Sequence, residues 1–276
     1  MIEFIKNALA EDVGSGDYTT ISCVSIDSKS NAQLLVKKSG VIAGVECAKQ
    51  IINYYDSSLR VESFTKDGDD VSAGDIVFIV SGSTRSILTT ERLVLNVMQR
   101  MSGVATTTSQ YAKAISHTKA KVLDTRKTTP GMRFLEKQAV RIGGGINHRT
   151  GLYDMILIKD NHIDAAGGMS AAIKKAIAFR EIKDLQIEIE VEVRSLIELE
   201  EALLHTGVSR IMLDNFTPIE TMEAVKIVNG RCCLESSGGI ILETVASYAE
   251  TGVDYISVGA LTHSVKALDL SLKIIL

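Results

Sequence analysis

From residue 121 onward the chain repeats one pattern: a short β-rich run, a polar or glycine residue, then a helical stretch. The runs are 121–124, 155–159, 187–193, 211–214, 232–235 and 255–259, with helix-like segments at 165–182, 196–205, 219–229 and 242–250. Such βα units bury their apolar strands side by side under a layer of helices, so the pattern predicts an α/β domain with a parallel sheet, open or closed. The strand ends carry Asp124, Lys159, Glu192, Asp214, Ser237 and Gly259. Barrel enzymes place their chemistry at the C-terminal ends of the strands, so this series predicts a barrel with one shared active-site mouth.

The first hundred residues read differently, as a mixed domain. Ile2, Ile5 and Leu9 have helical spacing, residues 12–17 are turn-rich, 32–45 alternates around Gly40 and Gly44 like two strands, and 75–80 is a further strand. Leu88, Leu95, Met98 and Met101 mark a long helix, which Ser102 and Gly103 are expected to break. The expected domains are therefore 1–103 and 104–265.

Composition narrows the function classes. With 45% hydrophobic residues in 276, the chain can build a large core, which excludes a disordered or fibrous protein. A net charge of -4 argues against a general nucleic-acid surface. No stretch of about 18 apolar residues suggests a membrane span. Met1 to Lys6 do not resemble a secretion leader, and Cys23, Cys47, Cys232 and Cys233 fit neither a zinc-finger nor a redox spacing. The expectation is a cytoplasmic protein with reduced core thiols.

The acidic whole contains a basic segment: residues 121–160 hold eight Lys and Arg against four acids. Arg126 and Lys127 follow a strand, Gly143 to Gly145 lead into His148 and Arg149, and Lys159 ends the next strand. Alone, each pair of cations would be a solvated loop. Converging on one mouth, they suit a substrate with several carboxylates or phosphates, because Arg forms a planar fork and Lys a point charge. The glycines do not form a dinucleotide fingerprint. Glu190 and Glu192 share one strand face, and if that face is the barrel interior they demand cations or a metal; otherwise they are edge-strand acids in water. Asp214 could join Glu192 in holding a hard divalent ion. Ser237, Gly238 and Gly239, and separately Gly259, lie between a strand and a helix, where backbone N–H groups can approach a phosphate.

These motifs occur together, in order: EDVGSGD (11–17), Glu91 with Arg92, DTRKT (124–128), GGGINHR (143–149), KDNH (159–162), EVEV (190–193), LDN (213–215), SGG (237–239) and ISVGA (256–260). In this combination the chain resembles the quinolinate phosphoribosyltransferase family, the carboxylating nicotinate-nucleotide pyrophosphorylases, over almost its whole length. The resemblance implies an N-terminal α/β sandwich domain, which the segment 266–276 is a candidate to rejoin, an incomplete (open) α/β barrel, and a homodimer with a shared active site. It implies that Arg126, His148, Arg149 and Lys159 bind quinolinate, with Arg92 supplied by the other subunit. Lys127, Glu192 and Asp214 would hold the ribose and pyrophosphate of 5-phosphoribosyl 1-pyrophosphate (PRPP) with Mg2+, Glu190 being the alternative to Glu192. Ser237, Gly238, Gly239 and Gly259 would cradle the 5′-phosphate. The implied catalytic groups are Lys127, Lys159, Glu192 and Asp214, and the implied products are nicotinate mononucleotide, CO2 and pyrophosphate. The alternatives are a paralogue of the same fold with another substrate, such as those found with molybdate transport genes, and a non-catalytic sensor of a dicarboxylate or sugar phosphate.

Overall fold

In the computed structural model, which describes residues 1–275, the elements run α1 (Ile2–Val13), α2 (Tyr18–Cys23), β1 (Lys29–Val36), β2 (Gly40–Val41), α3 (Val45–Tyr55), β3 (Arg60–Ser63), β4 (Asp70–Val71), β5 (Ile76–Ser83) and α4 (Thr84–Ala114). There follow β6 (Lys121–Leu123), α5 (Arg133–Ile142), β7 (Ile156–Ile158), α6 (Asp160–Ala166), α7 (Met169–Ile182), β8 (Ile189–Val193), α8 (Leu196–Ala202) and β9 (Arg210–Asp214). The chain ends with α9 (Pro218–Val228), β10 (Cys233–Ser237), α10 (Val245–Ala249), β11 (Tyr255–Ser257), α11 (Ala260–His263) and β12 (Leu270–Ile275).

Contacts divide the chain into two units, one of residues 1–109, 129–144 and the segment from 264, the other of residues 110–128 and 145–263. The first unit is built on an antiparallel sheet of order β12-β1-β5-β3. Along β1 every second residue from Ala32 is buried, which gives the sheet an apolar face. Val45, Cys47, Ala48, Ile51 and Ile52 form the buried stripe of α3. The segment 32–45 is not a hairpin: β2 pairs with β4, and Val45 opens α3. Ile275 lies opposite Asn31 and Leu270 opposite Val36, so the end of the chain supplies an edge strand. Leu276, the last residue of the segment 266–276, lies outside the described residues.

This division departs from a boundary at 103, because α4 carries no break there. Gly103 serves a close approach instead: a Cβ at this position would lie 2.5 Å from the Lys266 carbonyl oxygen and 2.9 Å from Val265 Cγ1. Ser102 is buried and its Oγ accepts the Ala43 N–H at 2.9 Å. Gly143 tells the same story at the end of α5, a helix that the sequence reading did not anticipate. Its φ of -75° is ordinary, yet a Cβ would meet the Ala105 carbonyl oxygen at 2.4 Å and Thr108 Cβ at 2.7 Å. The glycine run is thus a packing device at Gly143 and a left-handed turn at Gly144, where φ is 89°.

The second unit is the predicted parallel α/β sheet, of order β6-β11-β10-β9-β8-β7. Its edges β6 and β7 do not pair with each other, so the barrel is open. Every residue of β8 is buried, as expected for a strand covered on both faces. The stretch 165–182 is two helices rather than one, interrupted at Gly167 and Gly168, whose φ values are 90° and 121°. A capping box between Thr217 and Glu220, with Pro218 in the first turn, starts α9 directly after the β9 loop. All four cysteines are free, but only Cys47 is a buried core thiol; Cys23 and Cys233 are exposed. Among the described residues no helix is long and apolar enough to cross a membrane.

Replacing Gly143 by Ala inserts a methyl group into a filled space and is expected to cost about 1–3 kcal/mol. Urea denaturation of the variant measures this cost, which a merely flexible glycine loop would not show.

Candidate active site

All six strands of the second unit point the same way, so their C-terminal ends and following loops gather at one rim. Two adjoining lobes open there. The first, of about 360 Å3, is lined by Arg126, Lys127, His148, Arg149, Lys159 and Glu235 among others. The second, of about 500 Å3, is lined by Lys127, Lys159, Glu192, Asp214, Ser237, Gly238, Gly239 and Gly259, with Thr125, Asn215, Ala260 and His263. Thr125, Lys127, Lys159, Ser237 and Ser257 line both.

The basic loops are fixed by neutral and acidic partners. Ile146 runs alongside Leu123 as a parallel bridge, which brings residues 146–149 to the end of β6. There the fully buried Asp124 accepts hydrogen bonds from the His148 N–H at 2.9 Å and from the Asn147 amide. Thr125 Oγ1 accepts the Lys127 N–H at 3.0 Å, and Thr262 Oγ1 donates to the Lys127 carbonyl at 2.8 Å. The loop that presents Arg126 and Lys127 is therefore held at both sides. Arg149 donates to the Met155 carbonyl at 3.2 Å. Burial, and next the nearby Arg126 charge, push the Arg149 proton affinity below the usual guanidinium value. Two guanidiniums crowded in this way, only partly offset by Glu190 and Asp154, suit an anion.

His148 lines the first lobe but offers it no ring nitrogen. Nδ1 accepts the Arg149 N–H at 2.7 Å, and Nε2–H donates to Glu190 Oε2 at 2.8 Å. Held in this way, the imidazole orients Arg149 and ties the mouth to the barrel interior. Glu190 and Glu192 share the interior face, one layer apart. Glu192 reaches the second lobe and accepts a hydrogen bond from Lys159 Nζ, whereas Glu190 is buried beneath, away from that lobe. The edge-strand reading of these acids is thereby excluded.

In the KDNH segment only Lys159 faces the lobes; His162 Nδ1 accepts the Lys159 backbone N–H at 2.9 Å and caps α6. At the second lobe Gly238 has φ of 98°, and a Cβ there would fall 2.2 Å from Asn215 Oδ1. Asn215 is itself left-handed, φ 58°, and donates its N–H to the Ser237 carbonyl at 2.8 Å and its side-chain amide to Asp214 Oδ2 at 2.9 Å. A Cβ on Gly259 would lie 2.9 Å from His263 and 3.2 Å from Lys127 Cδ. Glycine is thus required at Gly238, and at Gly259 it leaves room for His263 and Lys127, a backbone shape suited to a small anion. Glu192 and Asp214 form a two-carboxylate donor set in this lobe, which fits a hard divalent cation that completes its shell with water and phosphate oxygens.

Arg92 lies on the exposed side of α4 in the first unit and lines neither lobe. Asn215, His263 and Glu235 line the lobes without having been assigned roles from sequence. Asn215 is signalled only by following Asp214, Glu235 only by ending a β-rich run, and nothing local marks His263.

Asp124→Leu would deprive the buried His148 N–H and the half-buried Asn147 amide of this acceptor, an expected cost of about 2–4 kcal/mol. Chemical denaturation reads this directly, and a cost below about 0.5 kcal/mol would mean that the clamp is dispensable.

Comparison with known proteins is consistent with this geometry. The model of the quinolinate phosphoribosyl transferase N-terminal domain matches residues 17–102, and that of the C-terminal domain matches residues 104–273. A mitochondrial quinolinate phosphoribosyltransferase [decarboxylating] of Nicotiana tabacum is 48% identical over 99% of this chain and 81% of its own length. A probable nicotinate-nucleotide pyrophosphorylase [carboxylating] of Bacillus subtilis is 40% identical over 99% of this chain and 93% of its own. The solved nicotinate-nucleotide pyrophosphorylase of Francisella tularensis superposes with a TM-score of 0.90 at 41% identity, covering 99% of this chain and 95% of that one. Both domain models, matched in order along a chain whose barrel mouth carries two cationic lobes, make it a member of the quinolinate phosphoribosyltransferase family.

Proposed function

We propose that the protein transfers the phosphoribosyl group of PRPP to quinolinate with loss of CO2, giving nicotinate mononucleotide and pyrophosphate for NAD synthesis. The observation that carries this reading is the pair of anion lobes sharing Lys127 and Lys159 at one mouth, in a chain of this family. The first lobe takes quinolinate: Arg126 and Arg149 hold its two carboxylates, Lys159 sits at the junction, and His148 steers Arg149. The second takes PRPP, with Ser237, Gly238, Gly239 and Gly259 around the 5′-phosphate and Lys127 beside the pyrophosphate.

Holding the dianion aims its ring nitrogen at the ribose C1, and positioning of this kind contributes several kcal/mol, on the order of 7–11 at best. As the C1–O bond to pyrophosphate breaks, positive charge grows on the ribose, where Glu192 and Asp214 stabilise it. Lys127 balances the negative charge accumulating on the leaving group. A Mg2+ ion held by Glu192 and Asp214 would, when bound, neutralise pyrophosphate oxygens. Once the nitrogen is alkylated, the pyridinium withdraws the electron pair left at C2 when the C2–carboxylate bond breaks, and a proton then replaces the lost CO2. No covalent nucleophile is needed.

The same reading makes the protein a cytoplasmic homodimer in which Arg92 of one copy completes the quinolinate lobe of the other. An Arg92→Ala chain mixed with an Arg149→Ala chain is expected to regain activity through hybrid sites. Absence of recovery after demonstrated subunit exchange would remove Arg92 from the site.

Incubation of the protein with quinolinate, PRPP and Mg2+ is expected to yield stoichiometric pyrophosphate and nicotinate mononucleotide. Ligand binding without turnover would instead favour a sensor. Arg126→Ala is expected to raise the quinolinate KM by the equivalent of about 2–5 kcal/mol while largely sparing that for PRPP; an unchanged quinolinate KM would take Arg126 out of the pocket.

A further inference from the structure

At the second lobe one residue touches both the acid end and the glycine end of the mouth. β9 and β10 run in register to their last residues, Asp214 opposite Ser237, and the Asn215 N–H donates to the Ser237 carbonyl at 2.8 Å, which adds one more rung beyond the two strands. Phe216 behind it is buried and Thr217 caps α9, so the backbone is fixed on both sides of Asn215. The side-chain amide donates to Asp214 Oδ2 at 2.9 Å. A carboxylate only accepts hydrogen bonds, so the amide nitrogen must face Asp214, and the amide oxygen then lies against Gly238. Asn215 is exposed, and it lines the lobe together with Asp214, Ser237, Gly238 and Gly239.

The left-handed backbone alone does not account for an asparagine. Glycine takes a φ of 58° without steric cost and is the usual residue at such a turn, as it is at Gly144 and Gly238. Here a side chain is kept and room is made for it: a Cβ on Gly238 would fall 2.2 Å from Asn215 Oδ1 and 2.6 Å from its Cγ, so the two positions cannot both carry a side chain in this conformation. We propose that Asn215 is a positioning residue, whose carboxamide fixes the Asp214 carboxylate at a set interval from the cradle of Ser237, Gly238 and Gly239. With PRPP in the second lobe, the reading on which this rests, Asp214 faces the ribose near C1 and the cradle takes the 5′-phosphate. The two ends of one ribose 5-phosphate unit then meet groups that Asn215 ties together.

While water fills the lobe this hydrogen bond contributes little, because both of its partners can be solvated. When a sugar phosphate displaces that water, the same bond runs to an ionised acceptor in a drier site and strengthens. Its effect therefore falls on the occupied site: Asp214 is held where positive charge develops on the ribose, instead of rotating toward solvent. Loss of the amide is expected to lower kcat, with little effect on folding and none on the first lobe, whose lining does not include Asn215.

Asn215→Gly keeps the turn and removes only the amide, whereas Asn215→Asp keeps the turn and the size but puts a second carboxylate beside Asp214. Both variants are compared with the wild-type chain in turnover of quinolinate and PRPP with Mg2+, and in calorimetric titration with ribose 5-phosphate, which needs no turnover. Asn215→Gly is expected to unfold in urea at the wild-type midpoint, to lose about tenfold in kcat and to bind ribose 5-phosphate about fivefold more weakly, with the quinolinate KM unchanged. Asn215→Asp is expected to lose at least as much in kcat. Wild-type kcat and ribose 5-phosphate affinity in Asn215→Gly would show that the residue serves the turn alone, and would overturn the proposal. A quinolinate KM that rises as far as kcat falls would overturn it as well, since that marks damage to the whole mouth. If Asn215→Gly does not fold, Asn215→Asp decides by the same readings. A wild-type protein that neither turns over quinolinate and PRPP nor binds ribose 5-phosphate would remove PRPP from the second lobe, a failure of the functional reading that is told apart from wild-type behaviour in the variants.

Discussion

Like charges held close together are the constraint around which the barrel mouth is built. Arg126, Lys127, Arg149 and Lys159 line one lobe, and burial, followed by the Arg126 charge, weakens the hold of Arg149 on its proton. An apolar barrel could not keep them there. The interior therefore carries Asp124, Glu190, Glu192 and Glu235, each supporting the mouth in a different way. Asp124 grips the backbone that delivers His148 and Arg149, Glu192 takes the Lys159 ammonium, and Glu190 with Glu235 anchors the imidazole beneath Arg149. The layering of a small barrel makes this economical, since residues two apart on one strand face the same interior at different depths. Glu192 serves the mouth and Glu190 the floor, although one strand supplies both.

The parts of this design that were legible in the sequence are those carried by short-range pattern. The βα repeat announced a parallel sheet, and the polar residues ending its runs announced the rim. Arg126, Lys127, Lys159, Glu192 and Asp214 could be picked out because each follows or ends an apolar run, and Arg149 because a glycine run leads into it. What local pattern could not supply was the reason for a residue whose partner is distant. Gly103 looked like a helix breaker because helix propensity is a local measure, whereas its actual neighbour is the backbone of Lys266. The glycines after α5 looked like a flexible lead into His148 and Arg149, and at Gly143 they are a contact with Ala105. His148 looked like a ligand-binding cation, and only the positions of Glu190 and of the Arg149 N–H show both ring nitrogens committed.

The two lobes also divide the labour of specificity. The second is shaped mainly by backbone, through Gly238, Gly239, Gly259 and the left-handed Asn215, and such a cradle suits a phosphate of any sugar ester. The first is shaped by side chains that converge from four different strand ends, and a set of convergent forks and point charges can discriminate the shape of its ligand in a way a backbone cradle cannot. On the proposed function, the choice between dicarboxylates falls to Arg126 and Arg149.

The pairing of β12 with β1 has a consequence for how the chain is made. Synthesis delivers β1, β5 and β3 long before β12, so on the ribosome the first unit carries an open strand edge, Asn31 to Val36, throughout production of the second. An unpaired edge is a template for association with other chains. In this protein the vulnerable edge is closed by a strand that follows the whole second unit in sequence, so the first unit cannot be sealed until the second has been made.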